Sequence, residues 1–122
     1  MVTEEKLTGR ALNDEVAIKV MGWRTHAVSE SVWHAEALHD SFHKESFRPS
    51  ESLEAAKQVE DRIEELGLEL KYATALLEAT GTQYQSSLPV IVWAIVRATA
   101  EERCQAALSV MEAKERHENL DS

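Results

Sequence analysis

Apolar residues recur at helical spacing near the start of the chain. Leu12, Val16 and Val20 lie four residues apart, so they form one apolar stripe on a helix. Asn13 has the side chain of an N-cap, because its oxygen can accept a hydrogen bond from the first helical turn. The pattern predicts a helix over 13–21.

A second helical pattern follows Pro49, and it predicts a helix over 51–66 with Ser50 as its N-cap. The residues of its apolar stripe are spaced three or four apart: Ala56, Val59, Ile63 and Leu66. Four carboxylates are placed on the opposite, solvent-facing side: Glu60, Asp61, Glu64 and Glu65. A charged face of this kind is typical of a surface helix rather than of a catalytic site.

The third helical pattern begins with a capping box, because Thr99 and Glu102 have the Thr-x-x-Glu spacing. The apolar stripe behind it contains Cys104, Ala107, Leu108 and Met111. The pattern predicts a helix over 100–116.

Two segments between these helices have strand-like patterns. Residues 68–76 begin with apolar and polar alternation, and residues 88–96 form a continuous apolar run rich in β-branched side chains. A polar, glycine-containing stretch at 78–87 is predicted to join them as a hairpin loop. A strand that is apolar on both faces needs cover on both faces, from helices or from a partner subunit.

The segment from Trp23 to Arg48 is irregular and leaves two alternatives open. Residues Val32–Ala35 fit a short strand, whereas residues 30–43 also fit a helix. With the other elements, the predicted class is α+β, a small antiparallel sheet layered with helices. One domain is expected over 1–122, with 1–11 as a polar leader.

Composition and charge narrow the classes of function. The formal net charge of −9 disfavours binding to nucleic-acid backbones in general and to anionic membranes. Cys104 is the single cysteine, so no intrachain disulfide can form. The N-terminal residues lack the pattern of a secretory signal, and no apolar run approaches the length of about 20 residues that a membrane helix needs. The predicted location is the cytoplasm, which is the host's if the protein is phage-encoded.

The order of these elements resembles the phage ABA sandwich domain, a family of small phage and prophage proteins. The resemblance covers about residues 10–112. Its matching segments are Val20–Trp23, Trp33, Phe47–Ser52, Ala55–Glu60 and Ala98–Leu108. The resemblance implies an αβα sandwich and a phage origin, and it supplies no catalytic residues.

The irregular segment concentrates aromatic and basic side chains that suit an anionic ligand. In a locally positive pocket, two tryptophans can stack on a base while cations hold phosphates. The candidate ligand-binding residues are Trp23, Arg24, His26, Trp33, Lys44 and Arg48. The alternative is that the tryptophans belong to the core and the cations balance nearby acids.

Histidines supply a weaker metal hypothesis. His39 and His43 have the i, i+4 spacing that can hold zinc on a helix, with His34 or a distant carboxylate as a third ligand. A solvated, histidine-rich segment is the more ordinary interpretation. Cys104 lies on an apolar stripe, which favours a buried, inert thiol over a nucleophile.

These features favour a non-enzymatic phage accessory protein without a cofactor. The preferred function is sequestration of a small ligand, such as a nucleotide-type immune signal of the host, by a homo-oligomer. Exposed sheet edges and a doubly apolar strand motivate the homo-oligomer. Two rivals are an inhibitor that presents the acidic segment 51–69 to a basic host protein and a metal-dependent hydrolase built on the histidines.

Overall fold

The computed structural model describes residues 7–35, 40–83 and 85–121. Within these residues the chain forms five α-helices and one three-stranded antiparallel sheet. The helices are α1 (Gly9–Lys19), α2 (Leu53–Glu65), α3 (Glu69–Ala79), α4 (Leu88–Arg97) and α5 (Ala100–Asp121). The strands are β1 (Arg24–Thr25), β2 (Val32–Ala35) and β3 (Asp40–His43). The predicted α+β class with a small antiparallel sheet is confirmed.

The whole sheet comes from the irregular segment of the sequence. Its strands follow chain order, with β2 in the centre and antiparallel to both neighbours. Trp33 lies opposite Thr25 on one side and Phe42 on the other, and His34 lies opposite Arg24 and Ser41. The short-strand alternative for Val32–Ala35 is therefore correct.

The strand predicted over 68–76 is wrong, because this segment begins the helix α3. Leu68, Tyr72 and Leu76 are buried and lie four residues apart, which is the helical period. Leu70, which alternation placed on the same face as these residues, is exposed. The apparent strand pattern thus combined the helical four-residue spacing of the buried residues with Leu70, which lies on another side of the helix.

The strand predicted over 88–96 is also wrong, because these residues form the helix α4. Pro89 lies in its first turn, a position that a helix tolerates because no N–H is needed there. Ile95 packs against the core, but no residue of α4 is fully buried. Because this segment is not a strand, the inference that it needs cover on both faces of a strand is wrong. The hairpin loop predicted over 78–87 is also wrong, because the two segments that it was to join are helices.

Two predicted helix caps have other roles. Asn13 lies inside α1, which begins at Gly9, and its buried Oδ1 accepts a hydrogen bond from the Ser50 backbone N–H at 2.9 Å. Ser52, not Ser50, caps α2, since its Oγ accepts from the Ala55 N–H at 3.3 Å. The side chains of Asn13 and Ser50 instead connect α1 to the turn before α2.

The capping box of α5 is confirmed. The Thr99 N–H donates to Glu102 Oε1 at 2.8 Å, and the Glu102 N–H donates to Thr99 Oγ1 at 3.0 Å. Cys104, Ala107, Leu108 and Met111 are all buried, as the apolar stripe predicts. Because α5 contacts α1, α2 and α3, it forms the centre of the core.

Glu60 departs from the predicted solvent-facing carboxylates. It is partly buried, and its Oε2 accepts hydrogen bonds from Arg103 Nη1 at 3.0 Å and from the Tyr72 hydroxyl. Burial, then the hydrogen bond to Glu60, raises the pKa of Tyr72 well above its usual value, so the phenol stays protonated. Arg103 also donates to the carbonyl oxygens of Ile95 and Ala98, so this cluster joins α2, α3, α4 and α5.

Candidate functional site

The sheet has one buried face and one exposed face, because strand side chains alternate. Trp33 and Ala35 are buried, whereas Val32 and His34 on the same strand are only partly buried. Register places Arg24 and Ser41 beside His34, and His43 beside Val32. We call the exposed side, formed by these strand residues and by His26, the outer sheet face.

Three polar groups of the outer sheet face contact one another. The rings of His26 and His34 approach edge to face, with centroids 5.9 Å apart. His34 Nδ1 and Ser41 Oγ share a hydrogen bond of 3.1 Å, in which the tautomer decides the donor. Two hydrogen bonds hold His26 in place. Its backbone N–H donates to the Val32 carbonyl at 2.8 Å, and its ring Nδ1 accepts from the Val28 backbone N–H at 3.1 Å.

The charge of this face differs from that of the whole chain. Among the strand residues that the structure describes, the outer sheet face holds an arginine and two histidines but no carboxylate. The net charge of the chain is −9. The exposed Asp40 carboxylate lies beside this face, because its Oδ1 accepts from the Ser41 backbone N–H at 2.8 Å. The several N–H donors of the face suit an anion better than a metal ion, because cationic and imidazole N–H groups donate hydrogen bonds to phosphate oxygens.

The two tryptophans do not form the predicted stacking pocket. Trp33 is only 1% exposed and belongs to the core, so the expectation that it stacks on a ligand is wrong. Trp23 is half-buried and packs edge-on against Phe42 and Phe47, with ring centroids 4.8 and 4.7 Å apart. Large aromatic side chains stabilise cores through the area that they bury. Here both tryptophans pack within the protein and do not present their faces to a ligand.

The four basic candidates lie in two groups. Arg24 and His26 are on the outer sheet face. Lys44 lies over the Trp33 ring at 4.2 Å from its centroid and donates to Thr25 Oγ1 at 3.0 Å. Arg48 pairs with Glu51 at 3.7 Å, beside a pocket of about 280 Å³ that Lys44 also lines. The six predicted residues therefore do not converge on one cleft.

The metal hypothesis involves His39 and His43, with His34 or a distant carboxylate as a third ligand. His39 lies outside the described residues, and His43 is exposed on β3. In the described part of the chain, no three side chains among histidine, cysteine, aspartate and glutamate come close enough to hold a metal ion.

A larger groove of about 790 Å³ lies between α1, α3 and α5. Three carboxylates and two cations line it: Glu78, Glu112, Glu115, Lys19 and Arg116. Lys19 pairs with Glu112 at 3.3 Å and Glu15 at 3.4 Å, and the hydrogen bond to Glu112 is the main reason why its pKa is raised. This mixture disfavours a phosphate-bearing ligand in the groove.

The thiol of Cys104 has no catalytic character. It is fully buried in the core, and burial raises its pKa to about 12. A protonated, inaccessible thiol is a poor nucleophile, in agreement with the sequence prediction.

Sequence reasoning missed the adjacency of His34 and Ser41. Their adjacency depends on the pairing of β2 with β3, and the residues between these strands have no turn signal as clear as Asn-Gly. The available signal was the i, i+2 spacing of Val32 and His34 within one strand, which places both on the same face.

Comparison with known proteins gives one family. A family model described as "Phage ABA sandwich domain" matches residues 14–108, which is more than half of the chain. No curated protein and no solved structure matches this chain. In the part that the structure describes, none of the helices has the length and apolar composition to cross a membrane.

Proposed function

This chain belongs to the Phage ABA sandwich domain family, and from that membership we propose a non-enzymatic accessory protein that sequesters a small phosphate-bearing ligand. The binding surface is the outer sheet face. The observation that carries the proposal is the meeting of Arg24, His26, His34 and Ser41 on this one exposed surface.

The chemistry of the surface suits a phosphate group. A guanidinium can donate two parallel hydrogen bonds to phosphate oxygens, and each imidazole adds one donor. Ser41 Oγ shares a hydrogen bond with His34 Nδ1, so when its hydroxyl donates to the imidazole, His34 keeps its other ring N–H for a ligand. A guanidinium and imidazole donors around one anion provide the orientation that a specific site needs, which a single surface arginine does not.

The ligand class is a nucleotide, and a nucleotide-type immune signal of the host is the form that fits a phage accessory protein. Its phosphates would contact the donors of the outer sheet face. The base would lie over Val32 or the edge of the histidine rings rather than on the buried Trp33. Sequestration requires binding without turnover, so the bound nucleotide should be recovered chemically unchanged.

Isothermal titration calorimetry of the purified chain against cyclic and linear nucleotides tests the proposal. We expect at least one nucleotide to bind with a dissociation constant in the micromolar range or below. We expect Arg24→Ala to weaken that binding roughly tenfold to a hundredfold, since a charge-assisted hydrogen bond contributes about 1.5–3 kcal/mol.

Arg48→Ala is the matched control. Arg48 is an exposed arginine that pairs with Glu51 away from the outer sheet face, so its loss should leave affinity unchanged. Equal weakening by both variants would show a general charge effect and contradict the proposed site. Absence of any nucleotide binding at micromolar concentration, with mass spectrometry showing no co-purified ligand, would refute the function.

A second candidate, inhibition of a basic host protein, is favoured by the outward surface of α2. Glu54, Asp61 and Glu64 are exposed there, and the wider segment 51–69 carries seven acids against two bases. Paired carboxylates on a protein surface attract basic partners at low ionic strength. Capture of a host protein that is lost on Asp61→Lys/Glu64→Lys, but retained on Arg24→Ala, would favour this candidate over ligand sequestration.

A further inference from the structure

The helix α4 carries an apolar surface that the fold leaves uncovered. The exposed fractions of its large side chains are high: Leu88 72%, Val90 51%, Val92 51%, Trp93 63% and Val96 66%. The opposite side, with Ile91, Ala94 and Ile95, is the side that is partly buried. Isolated exposed leucines or valines are ordinary, but five large apolar side chains on one ten-residue helix are not.

The arrangement of these side chains suits packing against another helix. Leu88, Val92 and Val96 are four residues apart and form one ridge along the helix. Pro89, Trp93 and Arg97 form the neighbouring ridge, on which the guanidinium lies 5.4 Å from the tryptophan ring centroid. Two such ridges with a groove between them can interdigitate with a copy of themselves.

The helix is also held in place rather than loosely attached. Arg103 donates hydrogen bonds to the carbonyl oxygens of Ile95 at 2.8 Å and Ala98 at 3.2 Å. The same arginine is paired with Glu60. Because the C-terminal end of α4 is anchored to α5 and α2, little additional ordering is needed when a partner binds.

We propose that α4 is a self-association surface, on which a second copy of the chain packs its own α4 in an antiparallel, two-fold arrangement. The exposed area of α4 is large enough for a second copy. An exposed tryptophan presents about 200 Å², and with four aliphatic side chains this surface exposes on the order of 500 Å² per copy. Two copies together bury roughly 1,000 Å², which is the area that a biological interface needs as a minimum.

Charge supports the same occupant. Residues 79–100 contain no aspartate or glutamate in a chain with 22 acidic residues, so two acidic copies can meet here without apposed carboxylates. In the antiparallel arrangement each Arg97 lies near the partner's N-terminal end of α4, which keeps the two guanidinium groups apart. A bilayer is the less suitable occupant, because interfacial helices are flanked by several Lys and Arg residues whereas Arg97 is the one basic residue of α4.

Sedimentation velocity of the full chain at about 100 µM tests the proposal. We expect the wild type to sediment as a dimer of twice 13.7 kDa and Val92→Glu to sediment as a monomer, because two carboxylates would be buried at the centre of the interface. Added salt should preserve or strengthen the dimer, because it screens the repulsion between acidic copies. Dilution should shift tryptophan emission to the red as Trp93 becomes exposed to water.

Val28→Glu is the matched control, because Val28 is 89% exposed in the loop between β1 and β2 and should leave the dimer intact. Circular dichroism and a thermal melt confirm that both variants fold. A monomeric wild type at 100 µM overturns the proposal, and binding of that monomer to phosphatidylcholine vesicles would assign α4 to a lipid surface. A dimer that Val92→Glu leaves unchanged also overturns it. Nucleotide calorimetry on the Val92→Glu monomer separates this result from the proposed ligand site.

Discussion

At the scale of single residues, Arg103 connects helices by donating hydrogen bonds both to a carboxylate and to backbone carbonyl oxygens. Its side chain is 16% exposed, and it donates to one carboxylate in α2 and to two carbonyl oxygens at the C-terminal end of α4. The Glu60 side chain is 28% exposed, so water screens this ion pair only partly. Removing one member leaves the other charge with an incomplete set of partners, which is costlier than losing a surface pair.

Arg103→Met should lower the free energy of unfolding by about 2–3 kcal/mol. Methionine keeps much of the aliphatic volume but leaves the two carbonyl oxygens without the Arg103 donors and Glu60 without its cation, with the Tyr72 hydroxyl still donating to it. Urea titration followed by circular dichroism measures the change. Lys114→Ala is the control, since its exposed pair with Glu118 should contribute under about 0.5 kcal/mol. Equal losses for the two variants would show that the Glu60–Arg103 pair is no stronger than a surface pair.

Cys104 should be unreactive in the folded chain. Burial raises its pKa to about 12, above the ordinary value of 9.0, so the thiol remains protonated through neutral and mildly alkaline pH. We expect iodoacetamide to label it at least a hundredfold more slowly in buffer than in 8 M urea at pH 8. Because the unfolded thiol ionises near pH 9, this residue's contribution to stability should be lost as pH rises from 9 towards 12. Rapid labelling of folded protein would contradict the burial.

At the scale of elements, local signals decided α1, α2 and α5 better than the segments between them. The stripe residues of all three helices are buried except Leu66, which is partly buried. The two glycines that follow α1 and α2, Gly22 and Gly67, have φ values of +75° and +71°. A positive φ favours glycine because it has no Cβ, so each of these positions marks a chain reversal after its helix. Such signals are local, and they survive the assembly of the whole chain.

Thr99→Ala should lower the free energy of unfolding by about 1 kcal/mol, since the hydroxyl that accepts the Glu102 N–H is lost from the start of α5. Thermal and urea denaturation measure the effect. Thr74→Ala is the matched control: its exposed hydroxyl donates to the Leu70 carbonyl within α3, and its removal should change stability by less than about 0.5 kcal/mol. A loss at Thr74 as large as at Thr99 would mean that the capping box adds nothing special.

At the scale of the whole molecule, α5 organises the packing. Small residues on it allow close approach of the neighbouring helices, since Cys104, Ala106 and Ala107 are all essentially inaccessible to solvent. Its contacts with α1, α2 and α3 bring elements that are distant in sequence into one core. The sheet joins this core through Trp33, with the partly buried Phe42 packed against it.

Ala107→Leu should lower the free energy of unfolding by about 1–3 kcal/mol, because a larger side chain at a fully buried helix contact forces its neighbours apart. Ala113→Leu, at an exposed position of the same helix, should be nearly neutral. Urea unfolding of both variants, compared with the wild type, measures the difference. Tolerance of leucine at 107 would imply looser packing around α5 than the burial indicates.

The candidate site could be predicted from sequence only in part. Arg24 and His26 were identified from composition, because donors are concentrated between 24 and 48. Strand register brings His34 and Ser41 beside Arg24, and adjacent residues do not encode register. Trp33 was misassigned for a related reason, since its burial follows from the face of β2 that meets the core.

The sequence by itself determined the family, the three striped helices, the capping box at Thr99 and the buried thiol of Cys104. Each depends on a short-range pattern, whose energy is contained within a few turns of chain. Tertiary structure decided that 69–79 and 88–97 are helices and that the sheet arises from 24–43. A β-branched apolar run has no period of its own, so packing against α3 and the hydrogen bonds from Arg103 settled its conformation.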